Sequence, residues 1–154
     1  MRCNALSSTL LFKTKKILLA VDGSHVSDRA VLAAAELAKL INAKVIIVHA
    51  INKLSVTYYT SALEESEEKI VEKLKKSGKS YLNSAEKEMK IHGIECEKVL
   101  EVGFPVDVII EQAKKNDVDL IVMGSRGMTK GRGLVGSTAE HVVRRSECPV
   151  LVVK

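Results

Sequence analysis

The sequence predicts a single α/β domain, an open five-stranded parallel sheet with helices on both faces. Five short aliphatic runs alternate with segments whose apolar residues recur every three or four positions, giving the order β-α-β-α-β-α-β-α-β. Most of these runs are apolar throughout instead of alternating, as expected of strands covered on both faces. The 154 residues, 46% hydrophobic and 28% charged, suit one domain with a substantial core and exclude wholesale disorder.

Taken in order, KILLAVD (16–22) is the first strand and runs into the turn Asp22-Gly23-Ser24. Ser24 or Ser27 can cap a helix reaching about Asn42, with Ala30, Ala34, Leu37, Ala38 and Ile41 on its buried face. KVIIVHAI (44–51) is the second strand, and Asn52 to Ala62 reads as a polar loop containing Tyr and Thr. A long helix is expected from Glu64 to about Ile91, burying Leu63, Ile70, Leu74, Tyr81, Ala85 and Met89, with Gly78 its weak point. Its cluster Glu64, Glu65, Glu67 and Glu68 is a solvated face that favours the helix dipole. His92-Gly93 ends the helix, and IECEKVLEV (94–102) alternates like an edge strand. Gly103-Phe104-Pro105 opens a shorter helix to about Asn116, because Pro loses nothing in a first turn. DLIVMG (119–124) is the fourth strand, residues 137–145 fit a helix, and PVLVV (149–153) is the last strand. Such sheets use right-handed crossovers and bind ligands at the carboxyl ends of their strands, here 22–24, 50–52 and the loop after Met123.

Composition excludes several function classes. The net charge of +5 falls almost wholly within residues 1–60, and five aromatics are too few for a single-strand stacking surface, so nucleic acid is not an expected partner. No uncharged apolar run nears the ~18 residues of a membrane span. Cys3, Cys96 and Cys148 are isolated, which suggests neither a disulfide framework nor a zinc ribbon and suits a reducing, cytoplasmic setting. His25, His49, His92 and His141 show no ligand spacing, so no metal site built by the protein is assigned. His49 and Cys148 read as packed residues. The opening MRCNALSSTLLF is followed by Lys13, Lys15 and Lys16 with no small-x-small cleavage site, so residues 1–13 are expected to be a flexible extension and 14–154 the domain.

The chemistry concentrates in GSRGMTKGRGLVG (124–136), which holds five of the nine glycines and Arg126, Lys130 and Arg132 without one acid. Glycines let backbone N–H groups turn toward an anion, and the next helix N-terminus with Ser137 and Thr138 adds donors. A phosphate site and a surface loop ending in a Gly-Ser-Thr cap both fit. Gly131-x-Gly133-x-x-Gly136 mimics a dinucleotide fingerprint but does not directly follow a strand, and Ser137 stands where a P-loop needs its Lys. Asp22, at the end of a central strand, suits either an exocyclic amine or the capping of the next helix.

Asp22-Gly-Ser-x-x-Ser27, Gly103-x-Pro105, Gly124-x-x-Gly127 with Gly136-Ser137, and the terminal CPVLVV together resemble the universal stress protein family over roughly residues 14–154. The resemblance implies a flavodoxin-like (adenine nucleotide alpha hydrolase-like) sheet of order 3-2-1-4-5, often a homodimer through strand 149–153, with ATP bound in some members and Mg²⁺ carried on the phosphates. Carried onto this sequence, Asp22 would contact adenine, Ala20 and Val21 would lead to it, and the backbone of Ala50 would line the base pocket. Gly124, Arg126, Gly127, Gly136, Ser137 and Thr138 would hold ribose and phosphates, with Met123 beside sugar or base. Between the second and third motif glycines stand eight residues, Met128 to Val135, where the ATP-binding members usually have nine. The functions that follow are an ATP-binding regulatory switch in the stress response, with an unknown protein partner, or a homodimeric interaction module that binds no nucleotide. Catalysis beyond slow ATP hydrolysis is not expected, since the glycine segment has no His, Asp or Glu to orient water.

Overall fold

The structure, a computed structural model, describes residues 13–128 and 135–154. The extension expected over 1–13 lies outside the described residues apart from Lys13, as do Lys130, Gly131, Arg132 and Gly133. The elements are β1 (Lys16–Ala20), α1 (His25–Ile41), β2 (Lys44–Asn52), α2 (Lys53–Leu63), α3 (Glu67–Ile91), β3 (Cys96–Gly103), α4 (Pro105–Lys115), β4 (Leu120–Gly124), α5 (Ser137–Arg145) and β5 (Val150–Val153). All strand pairs are parallel, in the order β3-β2-β1-β4-β5 that the sequence led us to expect.

The two-residue period of the strands divides their side chains between two cores. Ile17, Leu19, Val45, Ile47 and Val122 meet the Ala-rich face of α1 and Leu82, Ala85 and Met89 of α3. Leu18, Ile46, Val48, Ile121 and Met123 meet Val108, Ile109 and Ala113 of α4 and Ala139 and Val142 of α5. Burial of each large aliphatic side chain contributes about 1.5–3 kcal/mol, so β1, fully buried at Ile17, Leu18 and Leu19, supports both layers at once.

Three expectations are corrected, all between Asn52 and Glu67. Residues 53–63 are a helix, not a loop: Asn52 caps α2 by accepting from the Leu54 N–H at 3.0 Å, and Val56 docks with Ile51 and Ile70 in a third, smaller cluster. Ser, Val, Thr and Tyr have middling helix propensity and only Val56 is buried, so tertiary contact and the cap decide what local preference leaves open. Glu64 then takes a left-handed conformation (φ 50°), and the long helix starts at Glu67 after Ser66, three residues later than expected. Leu63 closes α2, 54% exposed, instead of joining the stripe of α3. Gly78 is buried under β2 and β3, where an added Cβ would lie 2.6 Å from His49 Cδ2 and 2.7 Å from Leu100 Cδ1. The helical weak point is thus a close approach of α3 to the sheet.

Candidate functional site

The carboxyl edge of the sheet gathers two segments. The first is the turn between β1 and α1. Val21 continues the ladder by donating its N–H to the Val48 carbonyl (2.9 Å), after which Gly23, at φ 81°, turns the chain. A Cβ on Gly23 would collide with the Tyr81 ring, so the turn is pressed against α3. Ser24 is the cap of α1, its Oγ accepting from the Ser27 N–H at 3.1 Å. Ser27, only 3% exposed, accepts from the Asp22 N–H at 3.2 Å. Asp22 Oδ1 accepts from the Ser24 N–H at 3.0 Å, so one carboxylate oxygen holds the turn. The other, Oδ2, has no hydrogen-bond donor among the described residues, and a Cβ on Gly127 would sit 2.6 Å from it. The capping role and an outward-facing oxygen therefore coexist in one side chain.

The second segment leaves β4 at Gly124, where a Cβ would lie 3.1 Å from the Val26 carbonyl carbon and 3.2 Å from the Ser27 nitrogen. Ser125, 3% exposed, donates its N–H to the Val153 carbonyl (2.6 Å) and accepts the Gly136 N–H on its own carbonyl (2.7 Å). Gly136 in turn abuts Arg126, with a Cβ position 3.4 Å from the Arg126 Cα. Asp22, Gly127 and Gly136 thus form a continuous strip with no side chain on its glycine backbones. At its end stands α5, whose N-cap Gly136 offers no side chain, so the first-turn N–H groups of Ser137 and Thr138 have no acceptor among the described residues. Such donors and the helix dipole together suit an anion.

The other expected residues fall around this strip. Ala20 pairs with Val48 on one side and Met123 on the other. Ala50, half-buried on β2, belongs to the layer of Met123, which is 5% exposed. Arg126 is exposed beside Gly127. Three contributors were not legible as site residues. His49 lies within 2.7 Å of the Val21 carbonyl through Nδ1, which must carry the proton there, because a carbonyl only accepts. Tyr81 meets the His49 ring edge-on, 5.3 Å between centroids, and backs Gly23. Ser125 joins the glycine segment to β5. The single sequence signal for this support was Gly78, a helical glycine directly over His49.

No group of three His, Cys, Asp or Glu able to hold a metal ion occurs among the described residues. No helix among them is long and apolar enough to cross a membrane.

Comparison with known proteins adds to this geometry. The profile described as the Universal stress protein family matches residues 13–154. A curated universal stress protein of Methanocaldococcus jannaschii is 39% identical over 142 residues, covering 91% of this chain and 82% of the relative. Among solved structures, that of hypothetical protein MJ0577 is 32% identical with a TM-score of 0.81, covering 92% and 96% of the two chains. A universal stress protein in complex with cAMP is 31% identical (TM-score 0.66, coverage 91% and 96%). One from Archaeoglobus fulgidus in complex with dAMP is 26% identical (TM-score 0.66, coverage 93% and 99%).

Proposed function

The chain belongs to the universal stress protein family, and from that premise we propose that it binds an adenine nucleotide, ATP foremost, at the carboxyl edge of the sheet and works as a ligand-dependent switch in the stress response. The observation that carries this is the free Asp22 Oδ2 facing Gly127 beside the open N-terminus of α5. The complexes of two relatives with cAMP and dAMP support the choice of adenine.

In this reading Asp22 Oδ2 accepts from the exocyclic amine, while Val21 and the backbone of Ala50 flank the base and Met123 lies beside base or sugar. The N–H groups of Gly127, Ser137 and Thr138 hold the phosphates, and Arg126 adds charge. Gly124 and Gly136 contribute by lacking side chains. His49 and Tyr81 position the turn and do not touch the nucleotide. Mg²⁺ would come on the phosphates, since Asp22 is the one carboxylate in the strip. Ligand held along 124–136 acts on Ser125 and hence on the Val153 carbonyl, which connects the site to β5. Ordering of a loop by phosphate shifts the population of such a device toward one state.

The second reading, a homodimer through 149–153, rests on β5 lying at a sheet edge with Leu151 39% exposed, because an unpaired edge favours a second copy. It is compatible with the first, and a monomeric mass at micromolar concentration overturns it. An unidentified regulatory protein and a cytoplasmic setting, consistent with the free thiols Cys96 and Cys148, complete the proposal.

Thermal unfolding with and without Mg²⁺ and ATP, ADP, AMP or cAMP tests it. A ligand at 100 times its Kd stabilises by about 2.7 kcal/mol. The shift is expected in the wild type and absent in Asp22→Ala and Gly127→Ala. No shift with any of the four leaves the interaction module as the account of the chain.

A further inference from the structure

On the face of the sheet that carries α1 and α3, the two helices part just beneath the Asp22 turn and leave a cleft of about 370 Å³. The gap has a sequence cause. Along α3, Ser80, Ser84 and Glu88 recur at four-residue steps toward α1, and two of the three are too short to fill the space. Its volume falls at the lower end of the ~300–1,000 Å³ typical of small-molecule sites.

The lining combines three kinds of group. Val31, Leu32 and Ala85 give an apolar wall. Ser27 is 97% buried and already accepts from the Asp22 N–H, yet its own hydroxyl proton has no acceptor among the described residues. The hydroxyls of Ser80, Tyr81 and Ser84 also line the cleft, Ser80 and Ser84 open to solvent and Tyr81 half-buried, and make no hydrogen bond among the described residues. The third group is two carboxylates, Asp28 on α1 and Glu88 on α3, with no Lys or Arg in the lining. Their ion-pair partners are histidines, His25 at 3.9 Å and His92 at 3.2 Å. Free hydroxyls ask for a hydroxylated guest, and two carboxylates with no Lys or Arg beside them in the lining favour a cation and repel phosphate.

We propose that this cleft is a second binding site, taking a small hydroxylated organic cation of the amino-sugar or amino-alcohol class. It differs from the strip at Asp22 and Gly127 in sign of charge, and it does not depend on nucleotide binding there. The amine lies against Glu88 and Asp28, the hydroxyls bond Ser27, Ser80, Tyr81 and Ser84, and the carbon skeleton covers Val31 and Ala85.

The test uses three probes sharing one ring: glucosamine, glucose and glucose 6-phosphate, which are cationic, neutral and anionic. Each is titrated into the ¹⁵N-labelled full chain while amide shifts are followed. Saturable shifts with glucosamine at Gly23, Ser27, Tyr81 and Ser84 are expected, with glucose about tenfold weaker and glucose 6-phosphate silent at these amides. Glu88→Gln should weaken glucosamine about tenfold. Ser84→Trp, at an exposed position of α3 and therefore expected to keep the wild-type melting temperature, should abolish binding by filling the cleft. Absence of saturable shifts at millimolar glucosamine, equal binding of glucose, or binding that survives Ser84→Trp overturns the proposal.

Discussion

The two edges of the same five strands are finished in opposite ways. At the amino edge, polar groups pair with one another. Asp119 Oδ2 accepts from the backbone N–H groups of Lys15 (2.8 Å) and Lys16 (3.0 Å), and Lys16 Nζ donates to the Asn116 carbonyl at 2.8 Å. Lys44 Nζ reaches Glu95 at 2.8 Å, and burial pushes the nearby Cys96 thiol up, making it a poorer nucleophile at neutral pH. At the carboxyl edge, Asp22 Oδ2 and the first-turn donors of α5 have no hydrogen-bond partner among the described residues, and glycine backbones stand where side chains would collide. The contrast teaches where each property of the fold resides. Closed hydrogen bonding at one edge stabilises the sheet, while the other keeps donors and an acceptor available for a ligand.

The contrast can be broken at either edge. The largest effect is expected from Gly23→Val, which forces a β-branched residue to φ 81° against Tyr81. It should lower stability by about 3 kcal/mol in urea denaturation, and a loss under about 1 kcal/mol would mean the turn is not clamped. Next, Asp119→Ala leaves two backbone N–H groups of the amino edge without their acceptor. A loss of about 1–2 kcal/mol is expected, with nucleotide-induced stabilisation unchanged. A diminished nucleotide shift in this variant would show that the edges are not independent. The smallest effect concerns the ion pairs flanking β3. Lys98 and Lys90 hold the Glu86 carboxyl below its usual range, so its contribution is present above the ordinary glutamate pKa of 4.5 and is lost as pH falls through the depressed value. Glu86→Gln should slightly lower stability at neutral pH and flatten its dependence on pH below 4.5, so that variant and wild type converge in acid.

Legibility in the sequence followed the range of the interactions. The five strands and the split between two cores were readable because period and composition are local, as at Ile17 to Leu19. The α2 helix was not, because its formation depends on Val56 meeting Ile51 and Ile70. Asp22 and Gly127 were legible as motif residues, but their juxtaposition spans about a hundred residues and needed the sheet order to bring β1 beside β4. The support from His49, Tyr81 and Ser125 was hidden for the same reason: each acts through a contact with a distant backbone group or ring.

The hydrogen bond from the Gly136 N–H to the Ser125 carbonyl has a consequence for chain length. It fastens both ends of the glycine segment to the framework, so what lies between them is a ring whose closure entropy varies only with the logarithm of its size. Shortening the interval between Gly127 and Gly136 from nine residues to eight alters that entropy by about 0.1 kcal/mol. Insertions and deletions can therefore accumulate inside the ring while its two anchors, and the start of α5, stay where they are.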